Sequence, residues 1–179
     1  MSMVHPLLIR HGLNVLVLVT IWLMMASNAK PEWYEVESAR AEIGIWRLCV
    51  TRDVRRCVSL LKDRPGIDVN GSLRSAQAFS VLATIFSCTA AVLIFVMELG
   101  LVKPDMLLGI PRVLLALSAL FMFVGALSFL GFIDETSLSD LPDSRYSISF
   151  IFAWVSVGTA VASALLAHFH HSALANKTF

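Results

Sequence analysis

Residues 75–97, SAQAFSVLATIFSCTAAVLIFVM, run for 23 consecutive positions without an Asp, Glu, Lys or Arg. A bilayer core of about 30 Å is crossed by about 20 helical residues rising about 1.5 Å each, so this stretch alone suffices for one span. Three further charge-free gaps accompany it: 19 residues between Arg10 and Lys30, 21 between Arg112 and Asp134, and 31 between Arg145 and Lys177. Four such gaps in one short chain predict four transmembrane segments, at about 9–28, 75–99, 112–133 and 147–169. Helices are required rather than strands, because an open sheet would leave backbone N–H and C=O groups unpaired in lipid.

Composition points the same way. Of 179 residues, 57% are hydrophobic and only 15% charged, where a soluble protein carries about a quarter charged residues. The mean hydropathy of +0.76 excludes an intrinsically disordered chain. With 14 basic and 13 acidic residues the net charge is +1, too small a field to attract nucleic acid, and no basic run is interleaved with aromatics. The lipid bilayer is therefore the first partner expected. One rival reading concerns the first span: Ser27-Asn28-Ala29 behind Arg10 resembles a signal-peptide cleavage site, which would leave three spans. The apolar run through Leu23, Met24 and Met25 continues without the usual polar break, so an uncleaved span is expected.

The connections are unequal. The first, residues 29–74, holds nine of the 14 basic and seven of the 13 acidic residues, a mixed and solvated surface. The others are short, so a single four-span domain over 1–179 is expected. Counting Lys and Arg, the side shared by the first and third connections has ten and the opposite side four, which would place the first connection in the cytoplasm. Against this, Cys49 and Cys57 could close a hairpin as a disulfide, a bond that persists outside the cytosol. Asn70-Gly71-Ser72 also fits the N-glycosylation acceptor pattern. Charge and cysteine usage leave the orientation evenly balanced.

Trp33, then Gly44-Ile45-Trp46, then Cys49 and Cys57 resembles the signature of the claudin superfamily, which includes peripheral myelin protein, the epithelial membrane proteins and the lens-fibre intrinsic membrane protein. Ile45 stands where leucine is usual. Ser75-Ala76-Gln77-Ala78-Phe79 is similar to the start of the second span in the myelin and epithelial members, and Phe152-Ala153-Trp154-Val155-Ser156-Val157 to their fourth span. The resemblance implies a four-helix bundle with both termini cytoplasmic in the plasma membrane, and a small extracellular β-sheet formed mainly by the first connection and stapled by Cys49 and Cys57. Ile43, Ile45, Leu48 and Val50 are compatible with strands there, Gly44 with a bend or bulge. The tryptophans could rest their rings at the membrane interface.

Other features are read as structural before functional. Arg52, Arg55 and Arg56 against Asp53 would favour anions if the hairpin lined a paracellular pore, while a solvated basic turn is the simpler reading. The ending Asn176-Lys177-Thr178-Phe179 differs from the tyrosine-valine ending common among junctional claudins. Ser156, Ala160 and Ala164 recur every fourth residue and suit close helix packing, with Gly125, Ala126 and Ser128 as a candidate facing surface. Glu98 reads as half of an interfacial ion pair, with Lys103 nearby. His168, His170 and His171 lie at a helix exit without a neighbouring Cys or carboxylate, so no metal site is expected. Cys88 reads as a packed apolar residue. No nucleophile elbow or phosphate-cradling loop occurs, so neither enzyme activity nor a cofactor is expected. Three roles remain: a structural or adhesive protein at cell contacts, binding itself in cis or trans; an auxiliary subunit of a channel or receptor; or a regulator of trafficking or growth.

Overall fold

A computed structural model describes residues 6–30, 32–51, 53–61, 70–101, 109–141 and 143–175, the side chains of 6–9 and 170–175 excepted. Four long helices carry the chain: α1 (Pro6–Ala29), α2 (Gly71–Glu98), α3 (Ile110–Glu135) and α4 (Ile148–Ala175). Within them Arg10–Ala29, Gly71–Glu98, Ile110–Glu135 and Ile148–Phe169 are long and apolar enough to cross a membrane. The protein is thus mostly helical, with a small antiparallel sheet at one end of the bundle.

Local chemistry sets the helix ends. Helix α2 starts at Gly71, four residues before the charge-free run, because the Asn70 side chain accepts from the Leu73 N–H at 3.0 Å and caps it. Its far end stops at Gly100, whose φ of +69° is the left-handed conformation glycine adopts at little cost. Helix α3 opens with Pro111 in its first turn, where no backbone donor is needed.

The helices form a closed ring in which α1 touches α2 and α4, and α3 touches α2 and α4. The α2–α3 contact is the most extensive and α1–α2 the least. Small residues explain the first. Gly125 of α3 lies against α2, where an added Cβ would sit 3.4 Å from Ala76 O, Phe79 Cβ and Ser80 N. Deeper in, Ser118 donates to Ala83 O at 2.7 Å and its Oγ lies 2.6 Å from that of Ser87, so the polar groups satisfy one another inside lipid. Gly125 therefore serves α2, not the fourth span, because the atoms facing its Cα belong to Ala76, Phe79 and Ser80.

On α4 the buried stripe is Ala153, Ser156, Ala160, Ser163 and Ala167, alternating steps of three and four as a straight helix requires. Ala164 is half-buried beside it. Ser156 and Ser163 donate to Ala153 O and Thr159 O on their own helix, at 2.7 and 2.8 Å.

The first connection supplies four strands, β1 (Tyr34–Val36), β2 (Ala41–Ile43), β3 (Arg47–Thr51) and β4 (Arg55–Ser59). The third supplies a 3-10 turn (Leu138–Asp140) and β5 (Ser144–Tyr146). The sheet order is β4-β3-β2-β1-β5, every pair antiparallel. Alternation orients it: Tyr34, Val36 and Ile43 are buried against the helix ends, while Glu35 and Glu42 stand on the other face.

Candidate functional site

Two side chains fasten the sheet to the bundle. Trp33 is fully buried, with its ring 5.0 Å from that of Phe129 and 5.6 Å from that of Phe150. Its Nε1–H donates to Ser27 O at 2.7 Å, and its backbone bonds to both Ile43 and Ser147. Trp33 is therefore a core residue rather than an interfacial ring, because its one polar atom has a partner inside the protein. Trp46 is half-buried and packs on the same core. Gln77 is the second fastener: from within α2 its Nε2 donates to Ile45 O at 2.7 Å and Leu60 O at 3.3 Å, holding both chains at the open end of the β3–β4 hairpin.

Gly44-Ile45-Trp46 is the turn between β2 and β3. Gly44 N donates to Arg47 O at 2.9 Å, and Leu60 N to Trp46 O at 2.9 Å. Ile45 belongs to this turn and not to a strand, with its side chain wholly buried. Cys49 and Cys57 stand directly opposite one another on β3 and β4 and are joined as a disulfide. Cys49 is buried and Cys57 exposed.

The outer face of the sheet is a field of compensated charge. Glu35 and Glu42 are cross-strand neighbours, a juxtaposition that costs stability unless cations intervene. Arg145 does so from β5, at 3.2 Å from Glu35 and 2.8 Å from Glu37. Arg55 does so from β4, bonded to Glu42 and 3.5 Å from Glu32. The charge of Arg55 is thus neutralised in place, which weakens the anion-lining reading of this hairpin. Arg56 is exposed beside Asp53 and Val54; Arg52 lies outside the described residues. Tyr146, on β5, has its phenol pKa raised by burial first, then by Tyr34 and Asp134.

At the same end of the bundle Asn70, the cap of α2, and Ser72, in its first turn, both donate to the Glu135 carboxylate at the end of α3. The Asn70 amide nitrogen, the atom a glycan would occupy, is engaged in that contact. At the opposite end Glu98 pairs with Arg10 at 2.9 Å and accepts from Asn14 Nδ2 at 2.7 Å. Its ion-pair partner thus comes from α1, and Lys103 lies outside the described residues. His168 Nδ1 sits 2.7 Å from Arg112 Nη1; a guanidinium only donates, so this imidazole nitrogen accepts. The side chains of His170 and His171, and residues 176–179, lie outside the described residues. Among the described residues no group of three His, Cys, Asp or Glu is placed to hold a metal. Cys88 is half-buried in α2.

Gln77, Arg145 and Glu135 are the residues that sequence reasoning left without a role. Gln77 had a visible signal, as did Asn14 in the first span: an amide in an apolar span needs a partner, and nothing local supplies one.

Four apolar helices capped by a disulfide-stapled sheet define a tetraspan membrane protein. The PMP-22/EMP/MP20/Claudin family matches residues 7–167, and the chain belongs to that family. It is also similar to epithelial membrane protein 1 of Oryctolagus cuniculus, 23% identical over 138 residues, which is 77% of this chain and 81% of the relative.

Proposed function

We propose that this chain is a non-enzymatic plasma-membrane protein acting in cell–cell contact or membrane organisation, with both termini cytoplasmic and the sheet outside the cell. The observation that carries the reading is that residues 34–59 of the first connection, as far as they are described, build a sheet fixed to the bundle. Trp33 and Gln77 tie it down from below, the Cys49–Cys57 bond staples its outer hairpin, and β5 binds it to the third connection. A pre-ordered platform loses little entropy on meeting a partner. Its outer strand offers Arg56, with exposed Val54 in the turn before it and Leu61 after it, a polar rim with apolar points suited to a protein surface such as a second copy in cis or trans. Membership of a family that includes an epithelial membrane protein supports the membrane setting.

The test is surface labelling of an epitope inserted between β4 and α2, on unpermeabilised cells in a mixed culture where only some cells express the protein. Concentration of label where two expressing cells touch is the expected outcome. Uniform label would move the role to an auxiliary subunit of a channel or receptor. A surface-resident protein that labels only after permeabilisation would overturn the orientation.

A further inference from the structure

The α1–α2 interface is the least extensive of the four in the ring, and at the end away from the sheet it opens into a groove of about 240 Å³. Val17 and Ile94 form its buried floor, and Leu18 and Phe95, both more than 60% exposed, stand as its rims. Because both helices are membrane spans, this groove faces acyl chains. It differs from an ordinary lipid-facing furrow at one end, where it closes on a charged pair. Glu98 accepts from Arg10 Nε and Asn14 Nδ2 on the same oxygen, Oε1. Among the described residues Oε2 receives no hydrogen bond, and the side chain is 21% exposed. Arg10, 47% exposed, spends only Nε on Glu98, which leaves guanidinium donors for an anion.

We propose that this groove binds one phospholipid with a zwitterionic, primary-amine headgroup, an ethanolamine phospholipid. One acyl chain lies between Leu18 and Phe95, the ammonium donates to Glu98 Oε2, and the phosphate accepts from Arg10. The charge pattern selects this class: an adjacent anion and cation match an adjacent ammonium and phosphate, and an ammonium has N–H donors for a carboxylate that a choline headgroup lacks. The inference is independent of the adhesive role.

The test uses the full-length protein in detergent, titrated with palmitoyl-oleoyl phosphatidylethanolamine, phosphatidylcholine or phosphatidylglycerol and read by native mass spectrometry. The ethanolamine lipid is expected to be retained about fivefold better than the choline lipid, the scale of one partly exposed charge contact. E98Q should abolish that preference, and A91F, which fills the groove and leaves Glu98 intact, should reduce retention of both lipids. Thermal unfolding of each variant checks the fold, and if E98Q fails to fold, A91F decides alone. Equal retention of the ethanolamine and choline lipids, dominance of the glycerol lipid, or wild-type retention in A91F would overturn the proposal. So would a dimer that forms through this face and excludes all three lipids.

Discussion

Trp33 spans three levels of the fold at once: its backbone pairs with β2 and with the start of α4, its ring fills the space between Phe129 and Phe150, and its indole N–H holds the end of α1. Those contributions separate by substitution. W33F keeps a ring in place but strands Ser27 O without its donor, and is expected to cost about 1–3 kcal/mol. W33A also leaves a cavity and should cost about 3–5 kcal/mol. Thermal unfolding in detergent checks both: a W33F variant as stable as the wild type would mean that the hydrogen bond contributes nothing, and equal losses that the ring packing adds nothing to it. Cys49 and Cys57 act on the unfolded chain instead. Their bond closes a loop with a sequence separation of 8, worth about 2–3 kcal/mol in loop-closure entropy. C49S and C57S should each lower surface delivery, measured by biotinylation, and the two should be equally impaired because each removes the same bond.

Among the elements, the α2–α3 pair depends on a side chain no larger than a methyl at one point. G125A adds a Cβ at 3.4 Å from Ala76 O, Phe79 Cβ and Ser80 N and should be nearly neutral. G125V has further methyl groups with no space and is expected to cost about 1–3 kcal/mol through overpacking. Unfolding midpoints of the two variants give the measurement, and a tolerated valine would show that the helices can part. The helices themselves were legible because lipid forbids charge over a bilayer's width, so each gap in the charge pattern became an element. Their partners were not, since Gly125 offers no periodic signal for which neighbour it meets. Strands β2 and β3 were partly legible through Ile43, Leu48 and Val50. Ile45 broke the expectation because a turn residue whose backbone is bound by Gln77 can bury its side chain as well as a strand residue can. Strand β5 left no trace: Ser144-Arg145-Tyr146 has no hydrophobic alternation, and only its pairing with β1 makes it a strand.

For the whole molecule, that pairing joins the first and third connections into one rigid cap. Glu35 and Arg145 stand directly opposite on β1 and β5, so the double substitution E35C/R145C should form a cross-strand disulfide. It would appear as an altered non-reducing mobility absent from either single variant, and failure to form would mean that the two connections move apart. The same cap also sets an order of events during synthesis. Arg145 follows Glu35 by 110 positions, so at about 5–20 residues per second the ribosome delivers β5 roughly 5–20 s after β1. Until then β1 carries an open edge and Glu35 and Glu37 lack their cation. The nascent chain thus passes through a timed interval, ended only by its last strand, in which a chaperone that reads unpaired strands has a target.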